Sequence, residues 1–184
     1  YAMFSPGRNW EQIRTTICYN DRPVKIAGSH AGISVGPDGG THQAIEDLAI
    51  TRVIPNMVVI SPCDSIEAKK ATLACAKTKF PTYIRLAREK TPVITTEDSP
   101  FEIGKAQLLF SLYVDKKADV GIIVTGSLVY KALKVAENFE KEGEKLGLRV
   151  KVLNLSTIKP LDEEAVWRLA HETGAIVTVE EHQI

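Results

Sequence analysis

Cysteine is scarce in this chain: Cys18, Cys63 and Cys75 are the only three among 184 residues. The number is odd, and the spacing is neither C-x-x-C nor that of a metal site. This argues against a disulfide framework and a zinc centre, and for small buried hydrophobes in a reducing compartment. Neither sign of charge is in excess, with 23 Lys and Arg against 23 Asp and Glu. No strong field is therefore expected to draw nucleic acid or an anionic membrane. No apolar run is long enough to span a bilayer, and the first residues lack the charged, apolar, small-residue order of a signal peptide. Repeats and low-complexity segments are missing too. What is present is an ordinary globular composition, 44% hydrophobic and 25% charged, enough for one or two small domains in the cytoplasm. Both ends look cut. Tyr1 opens inside a loop, and Ile184 follows a strand with no helix to cover it, whereas a parallel sheet needs helices on both faces. A longer natural polypeptide, or one whose end parts were lost or disordered, is expected.

Periodicity divides the chain into two α/β units. Trp10, Ile13 and Ile17 lie three and four apart, which predicts a helix over Asn9–Thr16. Val24–Ala27, Met57–Ser61 and Thr82–Leu86 read as strands. Gln43–Ala49 starts a helix with Glu46 and Asp47 at its positive end. Ser65–Ala76 reads as amphipathic, with Ile66, Leu73 and Ala76 inward and Lys69 and Lys70 outward. Repeated β-α-β-α-β is the signature of a parallel sheet. The stretch from Glu89 to Pro100 breaks the pattern with two prolines, four Thr or Ser and four charges, the composition of a linker. Beyond it, Ala106–Leu112, Val120–Thr125, Val150–Leu155 and Ile176–Val179 read as strands. A helix is predicted over Leu128–Leu146, with Ser127 as its cap and Gly147 at its end. A second begins at Asp162 and is stopped by Gly174. The expected organisation is an α/β domain over 1–90, a linker over 91–104 and a second α/β domain over 105–184. Each is a three-layer unit with a mainly parallel sheet.

The segment His30 to Gln43 carries two histidines, one aspartate and four glycines. It lies between a strand and a helix, which places it at the carboxyl edge of a parallel sheet, where open α/β sheets bind ligands. Glycine lets such a loop bring polar side chains close around a small molecule. Two other glycine-rich stretches are set aside. Gly121 to Ser127 has P-loop spacing without the lysine, and Gly36 to Gly40 has the wrong spacing for a dinucleotide fingerprint.

The residues Gly32 through Gln43 resemble the G-x-G-x-D-G-x-T-H-Q region of transketolases. Ile54 to Asp64 is similar to that family's next strand and turn, and Pro81 to Arg88 to the strand that ends in an arginine. Leu155 to Asp162 and Val179 to His182 resemble its third domain. The resemblance runs in order along nearly the whole chain. It implies a thiamine-diphosphate pyrimidine domain, truncated, followed by a transketolase C-terminal domain.

On this resemblance His42 contacts the sugar donor and manages protons, a task suited to an imidazole with an unperturbed pKa of ~6.5. Local sequence alone would make it a helix-start residue. His30 is implied to contact phosphate or hydroxyl groups of the substrate, though a satisfied strand-end histidine fits the local sequence equally. Deoxyxylulose-phosphate synthases usually carry arginine there, followed by Ala-Gly. Transketolases carry histidine, most often followed by Asp-Ser, so the pairing of His30 with Ala31-Gly32 combines the two. Asp38, between Pro37 and Gly39, is either a turn residue or the acceptor for a sugar hydroxyl. Arg88 is implied to grip the terminal phosphate with its planar guanidinium. Arg85 is its competitor, and for either a solvated surface charge is the common fate. Phe4, and with it Tyr1, fall where the family stacks aromatics on the aminopyrimidine ring, with core packing as the alternative.

Two elements of such a site are missing: the glutamate that protonates the aminopyrimidine, and the G-D-G…N segment that binds the diphosphate through a divalent cation. The resemblance therefore implies the C-terminal part of a transketolase. It would move a two-carbon ketol unit between sugar phosphates with thiamine diphosphate, as a homodimer or with an N-terminal subunit that holds the Mg2+ or Ca2+. No metal site is expected on this chain itself. A deoxyxylulose-phosphate synthase, a 2-oxoacid dehydrogenase beta-type subunit and a non-catalytic sugar-phosphate-binding or assembly subunit stand as alternatives.

Overall fold

Short runs of β-branched residues between turns become strands buried on both faces, the pattern of a parallel sheet covered by helices. The computed structural model describes residues 1–111, 117–141 and 148–184. The chain begins with turns and a short helix, α1 (Trp10–Gln12), which continues as a π-helical turn over Ile13–Cys18. Next come β1 (Lys25–Gly28), α2 (Asp47–Arg52), β2 (Val58–Ile60), α3 (Ser65–Ala76) and β3 (Thr82–Arg85). The three strands are parallel, with β3 between β1 and β2.

Alternation along these strands sorts the core into two layers. Val59 and Tyr83 face Ile13, Cys18, Leu48 and Met57, on the side covered by the first helical segment and α2. Val58, Ile60 and Ile84 face Ala71 and Cys75 of α3 on the other side. The face of α3 differs from the expectation. Leu73 is 56% exposed, and the buried stripe is Glu67, Ala71 and Cys75. A carboxylate takes a core position because its oxygens are satisfied: Glu67 accepts from the Cys63 amide at 2.6 Å and from Asn154 Nδ2 at 2.9 Å.

The second sheet contains β4 (Gln107–Phe110), β5 (Ala118–Val124) and β6 (Val150–Asn154). A three-residue strand, β7 (Thr157–Lys159), follows, and then α5 (Glu163–Glu172) and β8 (Thr173–Val179). The order is β4-β6-β5-β8, parallel except for β4. Helix α4 (Val129–Lys141) covers one face through Val129, Ala132 and Ala136. Leu169 of α5 covers the other face, against Gly121, where an added Cβ would lie 2.9 Å from Leu169 Cγ. Ser127 lies inside a 3-10 turn ahead of α4 rather than capping it. Gly174 belongs to β8 and does not stop a helix. Leu112, Leu146 and Gly147, to which sequence analysis extended a strand and a helix, lie outside the described residues.

β7 was not foreseen. It pairs antiparallel with β2, so residues from the C-terminal half complete the edge of the first sheet. All three cysteines are free and buried, and burial pushes each thiol above its ordinary pKa. They stay protonated and behave as small apolar side chains. No helix among the described residues is long and apolar enough to cross a membrane.

Candidate functional site

The carboxyl edge of the first sheet is built around the loop after β1. The strand ends at Gly28, and His30 stands two residues beyond it with φ of 59°. A parallel bridge between Ala31 and Ala44 and the bond from Gly32 N to Ala44 O at 2.8 Å close the base of the loop. Between those arms the chain forms 3-10 turns over Ile33–Asp38, with positive φ at Gly32, Gly36 and Gly39. The following helix starts only at Asp47, four residues later than the sequence suggested. Gln43 instead spans the loop, donating to Ile33 O at 3.1 Å.

Four rings gather here. The Tyr1 centroid is 3.9 Å from that of His30 and 5.9 Å from that of His42. Phe4 meets the edge of His42 at 5.2 Å and lies 6.1 Å from Tyr1. Arg8 stands over the outer face of Phe4, 4.9 Å from its centroid. Each imidazole leans on the hydroxyl of its preceding residue. His30 Nδ1 is 3.1 Å from Ser29 Oγ, and His42 Nδ1 is 2.9 Å from Thr41 Oγ1. Among the described residues neither Nε2 has a protein partner, so each ring keeps one nitrogen for a ligand.

Asp38 occupies the far end of the 3-10 segment, and its Oδ2 is buried without a hydrogen-bond partner. A buried acceptor left open in this way suits a ligand hydroxyl. Arg88 is exposed and donates through Nη1 to Val35 O, beside Gly36. It braces the loop from outside and makes no hydrogen bond to either imidazole. The structure thus brings Tyr1, Phe4, His30 and His42 together on one loop face, with Asp38 on the same loop and Arg88 at its rim.

Arg85 departs from the expected surface charge. It is 6% exposed. Its Nε donates to Asp47 Oδ2 at 2.9 Å and its Nη2 to Asp47 Oδ1 at 3.2 Å, while the Tyr83 hydroxyl donates to Asp47 Oδ2 at 2.7 Å. Burial, and then the Asp47 charge, push the Tyr83 phenol above its ordinary pKa, so it remains a donor. The signal was present in the sequence. Tyr83 and Arg85 are two apart on a strand and therefore share a face. Sequence reasoning also passed over Glu181, whose Oε2 accepts from Ser34 Oγ at 2.9 Å.

Aromatic faces beside two half-free imidazoles, at the carboxyl edge of a parallel α/β sheet, are chemically suited to a flat ring and a hydroxylated ligand. Residues 1–93 match the family model for the transketolase pyrimidine binding domain, and residues 111–184 that for the transketolase C-terminal domain. The chain belongs to the transketolase family. It is 41% identical over its full length to a Methanocaldococcus jannaschii protein named as a transketolase C-terminal section, covering 55% of it. Identity is 39% to the 6-deoxy-6-sulfo-D-fructose transketolase subunit SqwH of Clostridium sp. strain MSTE9, over 98% of this chain and 53% of that one. A solved split-gene transketolase, an inactive beta4 tetramer, superposes with a TM-score of 0.85 at 40% identity, over 99% of this chain and 56% of that one. The chain spans about half the length of the curated relatives it matches.

Family membership implies thiamine diphosphate. The residues present suit its pyrimidine end, where Phe4 and Tyr1 offer ring faces beside two imidazoles. For the diphosphate end, no group of three or more His, Cys, Asp or Glu among the described residues could hold a metal ion.

Proposed function

We propose that this chain is a C-terminal part of a two-part transketolase, acting in the cytoplasm on sugar phosphates of the pentose phosphate pathway. It works as a dimer of assembled units, each completed by an N-terminal subunit that supplies the diphosphate site and its Mg2+ or Ca2+. The observation that carries this reading is the ring cluster of Tyr1, Phe4, His30 and His42 with the open carboxylate oxygen of Asp38 on the same loop. Relatives about twice as long as this chain, named as a C-terminal section and as a subunit, support the division into two parts. So does the inactivity of the solved split-gene tetramer.

Bound thiamine diphosphate would supply the nucleophilic carbon that carries the two-carbon unit. This chain's own groups do the rest. Phe4 and Tyr1 would hold the pyrimidine end of the cofactor. His42 and His30 exchange protons with, or donate to, the sugar oxygens through their free Nε2 atoms. Asp38 accepts from a sugar hydroxyl and selects stereochemistry, and Arg88 takes the terminal phosphate at the loop rim. Residues 1–90 and 105–184 form the two units, joined by 91–104.

The test is reconstitution. The purified chain alone, with thiamine diphosphate and Mg2+, is expected to transfer no ketol unit from a ketose phosphate to an aldose phosphate. Transfer should appear when an N-terminal subunit that contains G-D-G and a downstream asparagine is added to a longer form of this chain that carries the glutamate upstream of Tyr1. Activity in the chain alone would refute the two-part reading. A stable complex that consumes pyruvate instead would assign the chain to the synthase or 2-oxoacid dehydrogenase class.

A further inference from the structure

After β8 the chain leaves the second sheet and crosses onto the loop that carries the ring cluster. The segment is fixed there by three contacts, two through its backbone and one through the His182 ring, none of which involves the Glu181 side chain. Arg85 Nη2 donates to Glu181 O at 2.7 Å, Gln183 N donates to Ile45 O at 2.8 Å, and Ala49 N donates to His182 Nε2 at 3.3 Å. From this anchored position the Glu181 carboxylate reaches the opposite arm of the loop. Oε2 accepts from Ser34 Oγ, and the side chain lies on the bare backbone of Gly32. A Cβ at Gly32 would overlap Oε2 and come within 2.9 Å of Glu181 Cβ. The glycine thus makes room for the carboxylate.

The loop has few other supports. Outside its 3-10 turns over Ile33–Asp38, its amides form isolated turn bonds, Gly39 N to Gly36 O and His42 N to Gly39 O, both at 3.0 Å. Gln43 and Arg88 hold the Ile33 and Val35 carbonyls from within the first unit. Among the described residues, Glu181 is the side-chain support that comes from the segment following β8. A segment of short turns with so few bonds lies at the low end of local stability, where one anchored contact sets how often it opens.

We propose that Glu181 is a positioning residue that pins the Gly32–Ser34 arm and thereby holds His30 and His42 against Tyr1 and Phe4. This makes the C-terminal sheet a determinant of site geometry without touching the ligand. The catalytic consequence rests on the function proposed above, whereas the pinning itself does not.

Hydrogen exchange on the isolated full chain tests the pin. Glu181→Ala should speed exchange of the Gly32, Gly39 and His42 amides by about tenfold or more, with amides of β5 and β6 unchanged. Glu181→Gln, whose amide oxygen still accepts from Ser34, should stay within about threefold of the unsubstituted chain. Ser34→Ala should match Glu181→Ala, and the double variant should be no faster than either single one. In the reconstituted complex Glu181→Ala should lower kcat by about tenfold or more while KM for the sugar phosphate changes less than about twofold, with Glu181→Gln restoring kcat. Unchanged loop exchange in Glu181→Ala would overturn the proposal, and so would equal acceleration in β5 and β6. If the unsubstituted complex transfers no ketol unit, the proposed function fails while the exchange data still decide the pin.

Discussion

Single side chains in this protein divide into those that hold the fold and those left open for chemistry. Asp47 is of the first kind. Its two oxygens are shared by Arg85 and Tyr83 in a region where both charged side chains are almost fully buried. Removing one partner strands the other charge away from water. Arg85→Ala should therefore cost about 3–5 kcal/mol, read as a drop in thermal or urea stability. Arg85 also holds the Glu181 carbonyl, so the same change should loosen the C-terminal segment. Tyr83→Phe removes one charge-assisted bond and leaves the ion pair, a smaller loss of about 1.5–3 kcal/mol. His42 is of the second kind. Its side chain contributes ring contacts and one bond to its neighbour Thr41, and nothing to the main cores. His42→Ala in the reconstituted complex should lower kcat by about 10²–10⁴. Subunit affinity, measured by titration calorimetry, should not change. Equal loss of affinity would make His42 structural.

At the scale of elements, two aspartates start two helices and tie each to a distant segment. Asp64 caps α3 by accepting from Glu67 N at 2.9 Å. It also accepts from the amides of Ile94 and Thr95 and from the Thr95 hydroxyl. Asp162 caps α5 through Ala165 N and accepts from Ala106 N. Burial alone would raise both carboxyls. The donors around them outweigh it and hold both below the ordinary carboxylate range. Each native carboxyl is thus ionised at a pH where the unfolded chain has begun to take up protons. The stabilisation is complete above the unfolded value of about 4 and is lost as pH falls through the native value. Urea midpoints measured from pH 6 down to pH 3 should show this acid limb, and Asp64→Ala should flatten it while costing about 2–4 kcal/mol at neutral pH. The Asp162 cap was legible in the sequence because a capping aspartate before an apolar-periodic run is a local signal. The buried face of α3 was not. Glu67 looks like a surface residue until Asn154, 87 positions away, supplies its donor. The late start of α2 was hidden for a similar reason, since Gln43 and Ala44 are drawn into the loop by Ile33 and Gly32. Tyr1, Phe4, His30 and His42 could be named because the family pattern places them. Their meeting on one loop face is a tertiary fact that spacing does not contain.

At the scale of the whole molecule, the two sheets are not independent. β7 belongs by sequence to the second unit and by pairing to the first. The bond from Asn154 to Glu67 crosses between a strand of one sheet and a helix of the other, in a fully buried setting. The C-terminal segment closes the circuit on α2 and the site loop. Unfolding either sheet would therefore leave the other with an unpaired edge, a stranded carboxylate and an untied loop. Coupling of this kind makes partial unfolding costly and favours one transition. For 184 residues, a single unit predicts a van't Hoff enthalpy of about 130 kcal/mol near 60 °C, equal to the calorimetric value, whereas two separate units would show roughly half of that each. Differential scanning calorimetry decides between them, and two resolved peaks would contradict the coupling. Asn154→Ala sharpens the test. It removes the donor to Glu67 and the Nδ2 contact with the buried Cys63 Sγ, at a cost of about 1–3 kcal/mol. If that bond is part of what joins the sheets, the variant's van't Hoff enthalpy should fall below its calorimetric enthalpy while both sheets remain folded at low temperature.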